Sequence, residues 1–489
     1  MDGKKTRHLP GSGLQPNILW FCTDQQRFDT IAALGNPYVH TPNLDRLVAS
    51  GVAFTRAYCQ NPISTPSRSA FLTGRYPSAT GVNANGNEYF PREAEETLVT
   101  RLLAGAGYDC GLVGKLHLAG CAERKEPRVD DGFRVFEWSH SPRPLWGTED
   151  HAYAHWLSEQ GLDHQEVLHL RDKRKDRAIV PTPDQDNVPP EHHHLTWAGE
   201  RATEFVREAR SPWLLCLNTF EPHPPFNPPY EYYRRFDPAS LPGPAFRASD
   251  VAFQESLAEA GVEFQTAARE PDSFGGRELQ AAYWASVEFV DEQVGRLLDV
   301  LDQTGQRSNT IIVFMSDHGE MLGDHGLVQK GCRFYEGLVR VPLIISWPGA
   351  LAQDLQSDAL VELIDVAPTL LELVGLPVPE RMQGCSFTDI LTEAEDPDRR
   401  RSSVRSEYYD SLGSGNGNRA TMLCDGTWKV IVHHAAGVGE LYNLCDDPWE
   451  HDNLWDEPTA RDVRDRLIRL SFDRTIEAID SGVRVTSLY

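Results

Sequence analysis

The residues of this chain best suited to chemistry stand just past apolar runs or at a helix start. Asp24 and Gln25 follow the run Asn17–Thr23, and Asp317 and His318 follow 309–316. Lys115 and His117 follow 108–114, and His223 lies between prolines after 213–220. Polar groups just past the C-terminal ends of buried strands are where open α/β sheets place their ligands. A loop-capping aspartate, a solvated lysine or a satisfied histidine would look the same at any one of these positions. In the stretch 61–75, Ser64 or Thr65 can cap a helix that continues over 67–72 until Gly74 stops it. A hydroxyl there sits where backbone N–H groups favour developing negative charge, and Arg68 adds a fixed cation in the first turn. Locally, an ordinary capped helix fits just as well.

The elements needed to position these side chains are legible. Short, continuously apolar runs at 17–23, 108–114, 213–220, 309–316 and 341–345 read as strands buried on both faces of a parallel sheet. A strand is also expected at 53–58. Amphipathic helices are expected at 41–47, 97–106, 196–209, 278–303 and 365–373. The stretch 121–188 reads as an irregular insertion rich in Trp, His and Pro, of the kind that builds substrate pockets on an α/β scaffold. The triple His192–His194 reads as loop without zinc-type spacing. A charged linker is expected at 392–401, then antiparallel strands at 403–408, 420–423 and 428–432, and a closing helix at 463–479.

In order along the chain, Asp24-Gln25, Ser64-Thr65-Pro66-Ser67-Arg68 with Leu72-Thr73-Gly74-Arg75, Gly114-Lys115-Leu116-His117, His223 and Asp317-His318 with Lys330 resemble the motif blocks of the type I sulfatases. These enzymes belong to the alkaline-phosphatase superfamily, and the resemblance spans nearly the whole chain. It implies an α/β fold: a large mixed, mostly parallel sheet sandwiched by helices over residues 1–391. A smaller C-terminal α+β subdomain, 392–489, would contain an antiparallel sheet. It also implies a sulfuric-ester hydrolase that releases inorganic sulfate. The nucleophile would be a Cα-formylglycine made from residue 64 by a maturation enzyme and hydrated to a metal-bound geminal diol. Residue 64 here is Ser where many members have Cys.

Carried over position by position, the resemblance makes Asp24, Gln25, Ser64, Asp317 and His318 the metal set. It makes Arg68 the group that steadies the nucleophile, and Lys115, His223 and Lys330 the grip on the sulfate. His223 or Lys330 would protonate the leaving alcohol, and His117 would be the base. The oxygen-rich set suits Ca²⁺; Gln25 and His318, in place of a further Asp and an Asn, leave Mn²⁺ and Mg²⁺ open. The aromatic insertion favours a sulfated small molecule or oligosaccharide as substrate. Two alternatives stand beside this: a phosphonate monoester or phosphodiester hydrolase of the same superfamily, which would share Asp24-Gln25 and Asp317-His318, and a sulfated-ligand-binding protein if Ser64 is never oxidised.

The 489 residues carry 47 Lys+Arg against 72 Asp+Glu, a net charge of −25, which argues against nucleic acid or an anionic membrane as partner. An anionic substrate therefore requires positive charge concentrated locally. Nine scattered cysteines form no disulfide framework. No run of 18 apolar residues is present, and no apolar stretch follows the basic residues of 1–8. A cytoplasmic location is expected, or a periplasmic or secreted one if a leader has been trimmed.

Overall fold

A computed structural model describes residues 15–121, 124–142, 147–172, 187–393 and 401–479. Its centre is an eight-stranded mixed sheet, in the order Leu355–Ser357, Val52–Phe54, Leu343–Ser346, Thr310–Ser316, Asn17–Thr23, Trp213–Asn218, Asp109–Gly114 and Val135–Trp138. The last five run parallel, and Leu343–Ser346 is antiparallel to both its neighbours.

The apolar run 17–23 explains its own position. Ile18, Trp20 and Cys22 enter one core, while Leu19 and Phe21 enter the other, so a strand without polar alternation belongs at the centre of a two-sided sheet. Helices Pro42–Ala49, His194–Glu208 and Gly276–Gln303 cover one face. Ser64–Thr73, Val99–Gly105 and Val366–Leu373 cover the other.

Three expectations are corrected. The strand expected at 53–58 is two pieces, Val52–Phe54 in the main sheet and Ala57–Tyr58 in a separate three-stranded sheet. Pro342 likewise divides 340–346: Arg340–Val341 pairs in the small sheet and Leu343–Ser346 in the large one, because proline has no N–H to offer the ladder. The insertion 121–188 is not simply pocket wall. It supplies the edge strand Val135–Trp138 and the helices Ala152–Glu159 and His164–Asp172. Trp138, Tyr153 and Trp156 are packed inside; Trp146 and the charges at 173–176 lie outside the described residues.

Toward the C-terminus, Val404–Tyr409, Arg419–Cys424, Trp428–His434 and Val438–Asn443 form a four-stranded antiparallel meander, with helix Arg461–Ala478 against it. Most of the expected linker falls on residues 394–400, outside the described residues. The meander also braces the turn before Ser64. Asn61 Nδ2 donates to the Glu407 carbonyl at 2.7 Å, and Glu407 N donates to the Gln60 carbonyl at 2.9 Å.

Candidate active site

Four adjacent parallel strands deliver Asp24, Lys115, His223 and Asp317 to one sheet edge. Backbone bonds past the strand ends hold their turns together: Lys115 N to Asn218 O at 2.9 Å, and Asp317 N to Thr23 O at 3.2 Å. Two glycines permit the close approach. A Cβ on Gly114 (φ +100°) would lie 2.0 Å from the Asn218 carbonyl oxygen, and one on Gly319 would lie 2.0 Å from that of Gly337.

The helix Ser64–Thr73 enters this edge N-terminus first and ends at Gly74 in the left-handed region. Ser64 is its first residue rather than its cap. Ile63 holds the cap position, and Asn61 Oδ1 accepts from Ile63 N at 2.9 Å. Ser64 Oγ, buried, is thereby freed for other partners. It lies 2.9 Å from His318 Nε2, 3.4 Å from Asp24 Oδ1 and 3.4 Å from Lys330 Nζ.

Asp24, Asp317 and His318 are fully buried and bring ligand atoms within 4.8 Å of one another. His318 Nδ1 donates to the Gly319 carbonyl at 2.9 Å, so the neutral ring turns an unprotonated Nε2 toward Ser64. Burial lowers His318 to about 4 despite Asp317 beside it. Two buried carboxylates, a neutral imidazole and a hydroxyl fit one divalent cation. Gln25 sits beside this trio in a left-handed conformation (φ 70°), its carbonyl held by the Tyr283 hydroxyl at 2.7 Å. Its side-chain Oε1 accepts from Lys330 Nζ at 2.8 Å, and its amide nitrogen donates to Glu320.

Positive charge meets these groups. Lys115 Nζ pairs with Asp24, Arg68 Nε donates to Asp317 at 2.9 Å, and Lys330 Nζ lies 3.1 Å from His318 Nε2. Burial alone would raise the Asp24 pKa, but the charges of Lys115, Lys330 and Arg68 hold it well below the usual range. Burial lowers Lys330 to about 8, against the pull of Asp24. His223 Nδ1 donates to the Pro224 carbonyl at 2.7 Å, and burial with the charge of Lys330 keeps the ring neutral. His117 is kept neutral by burial and by Lys115, and its Nδ1 is buried without a hydrogen-bond partner.

Two buried supports carried no sequence signal. Glu126 accepts from the backbone N–H groups of His117 (2.7 Å), Leu118 (2.8 Å) and Ala119 (3.2 Å), and from Trp138 Nε1 (2.7 Å). It thus fixes the turn that carries Lys115 and His117, the latter at φ 58°. Glu126→Ala would orphan four buried donors, at about 1–3 kcal/mol for each that finds no water. It is expected to lower kcat/KM about 10²-fold by misplacing the turn, with Glu126→Gln intermediate. Steady-state kinetics beside circular dichroism checks this, and a folded Glu126→Ala at wild-type kcat/KM would contradict it. The second support is His194, which opens the helix His194–Glu208 instead of lying in a loop. Its Nδ1 is 3.1 Å from Glu221 and its Nε2 2.8 Å from Ser139 Oγ, tying the turn before His223 to the edge strand.

Residues 16–376 match the family model described as Sulfatase, and 323–474 match that of N-sulphoglucosamine sulphohydrolase, C-terminal. The chain is 27% identical over 468 residues to an arylsulfatase of Clostridium perfringens, covering 94% of each. It is 27% identical over 492 residues to the N-acetylglucosamine-6-O-sulfatase of Bacteroides thetaiotaomicron, covering 93% of this chain and 85% of that one. The crystal structure of the phosphonate monoester hydrolase of Agrobacterium radiobacter aligns with a TM-score of 0.78 at 26% identity, covering 97% of this chain and 98% of that one. With the family match running from strand Asn17–Thr23 past Lys330, the chain belongs to the sulfatase family of the alkaline-phosphatase superfamily and is an enzyme of that family.

Proposed function

We propose that the protein hydrolyses sulfate esters of a carbohydrate, releasing inorganic sulfate, with residue 64 as the site of the nucleophile. The observation that carries this reading is the set of cations, Lys115, Lys330 and Arg68, buried around Ser64 Oγ in a chain of net charge −25. A sulfate ester presents an anionic centre to an electron-rich nucleophile, and fixed positive charge in a water-poor site lowers that repulsion.

Asp24, Asp317 and His318 would hold a divalent cation, with Gln25 beside them. The cation would make an oxygen nucleophilic at neutral pH, and Cα-formylglycine at position 64 would provide that oxygen. Arg68 fixes Asp317 and adds charge beside residue 64. Lys115 and Lys330 bind sulfate oxygens. Lys330 is the better proton donor to the leaving alcohol, because His223 commits its Nδ1 proton to the Pro224 carbonyl. The neutral His117 would accept a proton as the site resets.

The carbohydrate part of the proposal draws on relatives such as the N-acetylglucosamine-6-O-sulfatase. The buried Trp138, Tyr153 and Trp156 add little to it, because their faces are used in packing. Purified, matured protein is expected to release sulfate from sulfated monosaccharides and aryl sulfates at higher kcat/KM than it cleaves phenylphosphonate esters. Turnover of phosphonates or phosphodiesters alone would overturn the proposal. That second reading is favoured by Gln25 and His318 at the metal set and by the phosphonate monoester hydrolase structure. Lys115 and His117, both buried at the same edge, weigh against it.

A further inference from the structure

A second cluster adjoins the site. His117, Cys121 and His140 each bring one ligand atom to within 4.8 Å of the other two. His117 and Cys121 share the turn after Asp109–Gly114, and His140 follows the neighbouring strand Val135–Trp138, so sheet pairing fixes one side of the cluster against the other. The His117 and His140 rings stand edge to face at 4.6 Å, and His140 stacks on the buried Trp138 at 6.3 Å. His117 is 6% exposed with an unpartnered Nδ1, and Glu126 holds its backbone, so the ring is oriented before any ligand arrives.

Two imidazoles and a thiol are the donors of a borderline transition metal with an open fourth position, and a poor set for Ca²⁺ or Mg²⁺. The carboxylate-rich trio of Asp24, Asp317 and His318 is a harder site, so two metals of different character can be told apart. We propose that His117, Cys121 and His140 form a second metal site that takes Zn²⁺ and, when filled, inhibits the enzyme. On binding, the Cys121 thiol gives its proton to solvent and its thiolate donates to the metal. The two imidazoles donate lone pairs, and no group is oxidised or reduced. The inhibitory consequence rests on the reading of His117 as the base, since a metallated ring cannot accept a proton; the binding itself does not.

The intact protein is dialysed against Zn²⁺, and retained metal is measured by elemental analysis for the wild type, Cys121→Ser and His140→Ala. Co²⁺ serves as the spectroscopic probe in parallel. The wild type is expected to retain one more zinc than either variant and to show a thiolate-to-cobalt charge-transfer band that Cys121→Ser lacks. Exposed Cys385 and Cys445 are common to all three proteins and cancel in the comparison. Half-inhibition of Cys121→Ser is expected to need at least about tenfold more zinc than the wild type. Equal zinc in all three proteins, or a cobalt spectrum without the thiolate band, overturns the site. Zinc held through Cys121 with turnover unchanged supports the site and overturns instead the assignment of His117 as base.

Discussion

Replacing Ser64 by alanine is expected to lower turnover by at least about 10⁴-fold, the scale on which loss of a nucleophile reads out. The fold should survive. Ser64 opens its helix without capping it, and the groups around its Oγ keep other partners: Asp24 has Lys115, Lys330 has Gln25, and His318 has the Gly319 carbonyl. The stability change is therefore expected to stay within about 1 kcal/mol. Steady-state kinetics beside urea unfolding separates the two effects. A Ser64→Ala protein retaining a tenth or more of wild-type turnover would remove residue 64 from the chemistry.

The second large effect concerns stability. Lys429, on the second hairpin of the meander, is fully buried. Its Nζ lies 2.7 Å from Glu336, 2.7 Å from Glu450 and 2.9 Å from the Phe334 carbonyl. Glu336 opens the short helix before Arg340–Val341, so this cluster joins the C-terminal sheet to the main body. Lys429→Met would leave two buried carboxylates facing each other, at a cost of about 3–5 kcal/mol.

The sign of the pH dependence follows from Glu450. Burial pushes its carboxyl up to about 7 even with Lys429 beside it. A carboxyl raised in the folded state holds its proton there after the unfolded chain has lost it, so stability falls as pH rises through that window. Without Lys429 the carboxyl rises further. The deficit of Lys429→Met should therefore be largest above about pH 7 and shrink toward pH 5. Urea midpoints at the two pH values check this, and a deficit that grows on acidification would contradict it.

What the sequence made legible and what it hid differ in kind. The strand at 17–23 and the long helix Gly276–Gln303 follow from uninterrupted apolar runs and helical spacing, which need no tertiary information. The placement of Asp24, Lys115, His223 and Asp317 at one edge follows from their standing just past such runs. Local propensity could not separate Ala57–Tyr58 from Val52–Phe54, because which sheet a two-residue strand joins depends on partners at 340–341 and 361–362. Glu126 is one acidic residue in an irregular stretch; its importance comes from four donors brought together by folding. His194 is of the same type, since its partner Glu221 is 27 residues away. The aromatic residues of the insertion could point to a sugar only weakly, because Trp and Tyr serve a core as readily as a sugar, and Trp138, Tyr153 and Trp156 serve the core.

On the proposed function, all of this machinery surrounds a residue that must be altered before it can act. Mass analysis of the tryptic peptide 57–68, from protein purified out of its own source, tests that requirement most directly. The proposed function predicts a peptide about two mass units lighter than the encoded one, from oxidation of Ser64 to formylglycine. A peptide wholly at the unmodified mass, from protein that turns over sulfate esters, would contradict it.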